Sequence, residues 1–134
     1  MSSSENCSPP AAGSVSWNEL VTGDTNASAD FYGKLFGWKS EPFEPKGRTT
    51  GAPPYFLLKK GNKAEAGMIN PMHEGAPSQW VPYVVVDDVH SSLARAESLG
   101  ATTILPVTDI GEVGLIAVIK DPKGAVIGLH QLAK

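Results

Sequence analysis

A near-repeat constrains this chain more than any other feature. WNELVTGDTNASADFYGKLFGW, from Trp17 to Trp38, reads as a strand, an acidic turn, a short helix and a glycine stop, and WVPYVVVDDVHSSLARAESLGA, from Trp80 to Ala101, runs through the same order. Laying Asp24 on Asp87 puts Gly37 on Gly100. The segments that follow echo each other too: a shift of 61 residues lays Phe56, Leu58, Gly67 and Met68 on Ala117, Ile119, Gly128 and Leu129. Two such units in 134 residues predict pseudo-symmetric halves facing a shared cleft, and function should be sought there.

Within each half the patterning is specific enough to place elements. Val15 to Thr22 alternates as a strand, with Val15, Trp17, Glu19 and Val21 on one face. Asp24, Thr25 or Asn26 can cap the following helix, whose apolar row is Ala27, Phe31 and Leu35, extended by Tyr32 and Phe36, and Gly37 suits a left-handed stop. Prolines and glycines from Trp38 to Pro54 predict a loop with at most an edge strand. Tyr55 to Leu58 and Ala64 to Ile69 form a hairpin around Gly61-Asn62, and Asn70 to Gln79 links the halves. The second half opens with a strand from Val81 to Val86, read as buried on both sides. A helix capped by Asp87 or Asp88 follows, with Val89, Leu93 and Ala96 inward, and then a short strand from Thr102 to Leu105. Pro106 to Gly114 is a connection, and a last hairpin turns at Asp121-Pro122-Lys123-Gly124. The domain plan is a flexible tail over residues 1–14 and one domain over 15–134, with module one at 15–70, a linker at 71–79 and module two at 80–132.

Composition excludes several function classes. Eleven basic against fourteen acidic residues give a formal net charge of -3 with no basic run, so no nucleic-acid partner and no anionic membrane surface is expected. The single cysteine, Cys7, cannot build a disulfide framework or a thiolate metal site within one chain. The first fourteen residues lack the basic start and apolar run of a secretory signal, and a cytoplasmic protein is expected. Dinucleotide, Walker, zinc-protease, serine-hydrolase and paired-cysteine motifs are all missing from the sequence.

With both repeats and the DPKGAVIGL turn in view, the chain resembles the vicinal oxygen chelate superfamily, which includes glyoxalase I, bleomycin resistance proteins and extradiol dioxygenases. The resemblance rests on Asp24, Phe31-Tyr32 and Leu35-Phe36-Gly37 in one half. In the other it rests on Val86-Asp87-Asp88-Val89, Leu99-Gly100-Ala101 and Asp121-Pro122-Lys123-Gly124. It implies an α+β fold of two βαβββ modules whose curved mixed sheet encloses a cleft, commonly around a divalent metal, and a homodimer. Its metal-ligand positions fall on Trp17, on Val81 or Trp80, on Gly67 and on Gly128, none of which can ligate a hard or borderline cation. The expectation is therefore no metal and no other cofactor. The two glycines are expected to open room in the cleft, and the molecule resembles members that bind a small organic ligand. The alternatives are a metal-dependent lyase, isomerase or dioxygenase with atypical ligands, and a non-catalytic structural or partner-binding protein.

Candidate residues follow from this frame. Glu19 stands on the face assigned to the cleft, either as a general base or ligand anchor, or as a carboxylate bonded to Tyr83, Asn18 or backbone amides. His130 shares the face of Gly128 and is a proton shuttle, a lone ligand beside Glu19, or a hydrogen-bonded structural histidine. Trp17, Trp80, Tyr83 and Tyr55 form an aromatic wall for a planar ligand, or else pack the core and the interface between modules. His90 reads as a solvated first-turn residue, His73 as a linker residue, and Asp24 and Asp88 as caps.

Overall fold

The computed structural model describes residues 10–47, 53–71 and 75–133. Module one comprises β1 (Val15–Val21), α1 (Thr25–Phe36), β2 (Lys39–Phe43), β3 (Tyr55–Lys60) and β4 (Lys63–Ile69). Module two comprises β5 (Gln79–Val85), α2 (Val89–Ser98), β6 (Thr102–Asp109), a 3-10 turn at Gly111–Val113, β7 (Gly114–Lys120) and β8 (Val126–Leu132). All eight strands form one mixed sheet in the order β2-β3-β4-β1-β5-β8-β7-β6, the two βαβββ modules joined edge to edge along β1 and β5. Cys7 and His73 lie outside the described residues.

The register makes the duplication explicit. β1 runs parallel to β4 with Glu19 opposite Gly67, and β5 runs parallel to β8 with Tyr83 opposite Gly128. At the seam β1 and β5 are antiparallel, pairing Trp17 with Tyr83 and Glu19 with Val81. A displacement of 64 residues carries Trp17 to Val81, Glu19 to Tyr83 and Asp24 to Asp88. Asp24 and Asp88 are the observed helix caps, Asp24 accepting from the Ala27 amide and Asp88 from those of His90 and Ser91. The overlay of Asp24 on Asp87 is thus one residue short for the strands. It lays Gly37 on Gly100 because α2 is two residues shorter than α1, 10 against 12, and its glycine comes one residue after the C-cap Leu99.

Helix termini and edges obey local chemistry. Gly37 ends α1 at φ 79, a left-handed backbone that a side chain would strain. Pro42 is tolerated because β2 is an edge strand, bonded only to β3. β6 continues to Asp109, past the stop expected at Leu105, because irregular register around Pro106 keeps the edge strand paired with β7. Val81, Tyr83 and Val85 are buried while Trp80 is exposed and Pro82 and Val84 are half-buried, so β5 alternates and is not closed on both sides.

Two apolar layers hold the sheet. Leu20, Leu58, Ala66 and Met68 pack on the outer face with Ala29, Tyr32, Trp38 and Phe56, under α1. Fully burying a side chain such as Leu58 or Met68 is worth about 1.5–3 kcal/mol. On the concave face Val81, Tyr83, Ile116 and Val118 pack with Trp17, Val21, Ile104, Leu105, Ile110 and Val126. The helices differ sharply: Val89 of α2 is wholly buried, whereas α1 has no buried residue, and Phe31, Leu35 and Phe36 are 57%, 58% and 47% exposed. Of the apolar residues noted on α1, Phe31, Leu35 and Phe36 are left exposed, while Tyr32, together with Ala29, makes the contact to the sheet.

The segment before β1 also differs from expectation. Gly13 and Ser14 bond the backbone of Val85, and Pro10 reaches the wall of the central cavity, so residues 10–14 belong to the folded body. Among the described residues no helix is long and apolar enough to cross a membrane.

Candidate functional site

The concave face encloses a cavity of about 680 Å³ lined by both modules. That is the size of a pocket for a drug-sized molecule. Alternation along β1 turns Trp17, Glu19 and Val21 toward it, and alternation along β5 turns Gln79, Val81 and Tyr83 the same way. Ser16 joins them because β1 bulges between Val15 and Trp17. On the far side the loop after β2 meets the 3-10 turn, the Glu112 amide donating to the Lys46 carbonyl at 2.8 Å. The two ends of the curved sheet are thereby tied together.

Glu19 is the chemical centre of this space. The Tyr83 hydroxyl donates to its Oε2 at 3.2 Å, the Tyr55 hydroxyl bonds the same carboxyl group, and Trp17 Nε1 donates to Tyr55 Oη at 2.8 Å. Burial drives the carboxyl pKa above its ordinary value, and the bonds from Tyr55 and Tyr83 oppose that rise without cancelling it. Burial likewise raises the Tyr83 hydroxyl, reinforced by the adjacent negative charge of Glu19. The carboxylate bonded to Tyr83, one of the readings open in the sequence, is the arrangement observed.

Gly67 and Gly128 serve a different purpose from the one expected. A Cβ on Gly67 would run into the hydroxyl end of Tyr55 and the Trp17 indole nitrogen, and one on Gly128 would run into the Tyr83 ring. The glycines make room for two tyrosines of the protein, and neither borders the cavity itself. Sequence alone could not reveal this, because it did not place Tyr55 over Gly67 or Tyr83 over Gly128.

Trp80 is excluded from the cavity. It sits between inward-facing Gln79 and Val81, so strand parity points it to the outer face, where Nε1 donates to Tyr32 Oη at 3.1 Å. Its ring meets Tyr32 and Trp38 edge-on at 5.5 and 6.4 Å, pinning α1 across the seam between modules. Of the four aromatic candidates Trp17, Tyr55 and Tyr83 line the cavity, and Trp80 packs between the modules instead.

His130 is buried, borders the cavity and spends both ring nitrogens on the fold. Nε2 lies 2.9 Å from the Val113 carbonyl and Nδ1 3.2 Å from Ser16 Oγ. A carbonyl only accepts, so Nε2 carries a proton. His90 is exposed on the first turn of α2. The residues that sequence reasoning missed are chiefly Ser16 and the apolar lining from β6 and the 3-10 turn, including Ile104, Ile110 and Val113.

The site does not fit the divalent ion implied by the fold. Trp17 and Val81 stand at the strand positions, and no side chain can extend from Gly67 or Gly128 without displacing a tyrosine. Among the described residues no three His, Cys, Asp or Glu side chains converge to hold a metal.

The comparisons agree with this architecture. The methylmalonyl-CoA epimerase of Mycobacterium tuberculosis superposes with a TM-score of 0.60 over 98% of this chain and 96% of its own, at 15% identity. Hypothetical protein BH1468 of Bacillus halodurans superposes with a TM-score of 0.61 over 91% of this chain and 96% of its own, at 9% identity. In sequence, a Mycobacterium tuberculosis protein provisionally named glyoxylase CFP32 is 35% identical over 123 residues, covering 89% of this chain and 46% of the relative. The anthracycline biosynthesis protein DnrV of Streptomyces peucetius is 32% identical over 130 residues, 89% of this chain and 47% of the relative. The chain spans about half the length of these curated relatives. The profile of the Glyoxalase/Bleomycin resistance protein/Dioxygenase superfamily matches residues 14–129, and the chain belongs to that superfamily.

Proposed function

We propose that this chain binds a small, largely apolar organic molecule in the cavity between its modules, and does so without a metal ion. The observation that carries the reading is the pair of tyrosines. Tyr55 and Tyr83 occupy the space over Gly67 and Gly128 and aim their hydroxyls at Glu19, so an organic hydrogen-bonding site stands where an ion would be gripped. Trp17 and the aliphatic wall of Val81, Ile116 and Val118 supply apolar surface, and the similarity to an anthracycline biosynthesis protein supports a polycyclic ligand. In a catalytic version of this reading Glu19 accepts a proton from the bound molecule, its pKa raised above the ordinary carboxyl value by burial. A thermal-shift screen with neutral polycyclic compounds tests the binding. A saturable rise in melting temperature supports it, and no response across the set contradicts it.

A metal-assisted lyase, isomerase or dioxygenase built on Glu19 and His130 has less support. His130 has a carbonyl on one nitrogen and a hydroxyl on the other, and two ligands fall short of the usual three. Elemental analysis of purified protein distinguishes the two readings, since stoichiometric metal would favour the second.

We further propose a homodimer formed through α1. Phe31, Leu35 and Phe36 present an apolar row with Asp30 and Lys34 beside it, 3.1 Å apart and both exposed. Two antiparallel copies of such a helix would set Asp30 of each against Lys34 of the other. The displacement that relates the modules carries Leu35 to Leu99, also exposed, but Phe31 to Arg95 and Phe36 to Gly100, so the fold itself does not require the two phenylalanines of this row.

A further inference from the structure

The geometry points to an apolar amine as the preferred ligand, its ammonium group seated on Glu19 between the hydroxyls of Tyr55 and Tyr83. This inference rests on the cavity being a small-molecule site, as proposed above.

The charge inventory of the lining carries it. Among the described residues that line the cavity there is no lysine and no arginine, while Glu19 lies at the centre of the seam. Ser16, Asn70, Gln79 and Thr108 around the space are uncharged, and a second acidic lining residue, Asp109, accepts from the Gly111 amide at 2.8 Å. Asn70 donates to the Thr22 carbonyl and Thr108 to the Pro106 carbonyl, so these groups are already engaged within the fold. Among the described residues Glu19 has two hydroxyl partners and no cation. A carboxylate in an apolar enclosure is costly without a compensating charge. The missing charge is what a ligand ammonium would bring, and the aromatic face of Trp17, two residues before Glu19 on the same face of β1, adds a surface attractive to cations. The same inventory disfavours anions. A carboxylate, a phosphate or an acyl-coenzyme A thioester would enter beside Glu19 and meet no lysine or arginine among the described lining residues, while His130 has both ring nitrogens bonded within the fold, so ligand classes of that kind do not suit this cavity.

The class is tested with three matched probes, anthracenemethylamine, anthracenemethanol and anthracenecarboxylate, titrated by calorimetry at neutral pH into the native protein and into the Glu19→Gln variant. The expected result is that the amine binds the native protein about tenfold or more tighter than the alcohol, as a hydrogen bond to a charged group allows. The carboxylate should bind more weakly than both. In Glu19→Gln the preference for the amine over the alcohol should vanish. The inference is overturned if the alcohol matches or exceeds the amine in the native protein, or if the variant keeps the amine preference. The native comparison decides the matter even if the variant does not fold. Failure of all three probes to bind would instead count against the cavity as a small-molecule site.

Discussion

Tyr83 donates its hydroxyl to Glu19 across the seam between the modules, at 3.2 Å, and the two residues occupy equivalent places in the duplicated units. Each faces a glycine on the neighbouring parallel strand, Gly67 opposite Glu19 and Gly128 opposite Tyr83. The duplication has therefore been resolved into an acid on one side and its hydrogen-bond donor on the other. A first prediction concerns that acid. Its folded pKa lies above the ordinary value of 4.5, so the fold favours the protonated form. Stability is then full below the ordinary value and is lost as pH rises through the folded one. Glu19→Gln removes the dependence. Its melting temperature relative to the native protein should climb as pH rises from 4.5, by up to about 1.4 kcal/mol of stability per pH unit while Glu19 stays protonated in the native fold. Tyr83 does not titrate in this window, because its hydroxyl is driven further up. A difference that is flat with pH would contradict the assignment.

The glycines make a second prediction. Gly67→Ala places a methyl group against the Tyr55 hydroxyl, and overpacking of this kind costs about 1–3 kcal/mol. Combining it with Tyr55→Leu should recover part of the loss. Urea midpoints of the two single variants and the double variant would give a coupling energy of about 0.5–3 kcal/mol if the two residues compete for one space, and additive losses if they do not.

His130 should behave as a fastener. His130→Ala leaves the Val113 carbonyl and the Ser16 hydroxyl without this partner, at a cost of about 1–3 kcal/mol in chemical denaturation. A variant as stable as the native protein would show that the two bonds contribute nothing.

The outward apolar row of α1 predicts self-association. Sedimentation equilibrium should find a dimer, and Phe31→Glu combined with Leu35→Glu should return a monomer with an unchanged circular dichroism spectrum. A native protein that remains monomeric at the highest workable concentration would exclude α1 as the interface.

How much of this could be read from residues alone depends on the kind of order involved. The duplication, the caps at Asp24 and Asp88 and the stop at Gly37 are local signals, written in turn residues and periodicity, and the structure follows them. The inward face of β1 was legible because alternation fixes it once Trp17 and Glu19 are assigned to the same side. The same rule, applied to β5, separates Trp80 from Tyr83, and grouping them in one wall ignored that parity. Period alone could not say which way the apolar row of α1 turns, since an amphipathic helix shows a stripe without showing what covers it. The bulge that brings Ser16 to His130, and the tyrosines that fill the space over Gly67 and Gly128, arise from contacts between segments distant in the chain. No local pattern encodes them.

The central claim, that the cavity holds an organic molecule without an ion, is tested most directly by titrating anthracenemethanol into protein stripped with a chelator, and again after adding zinc, nickel or manganese. The account predicts the same saturable one-to-one binding in every case. Binding that appears only once a metal is restored would contradict it.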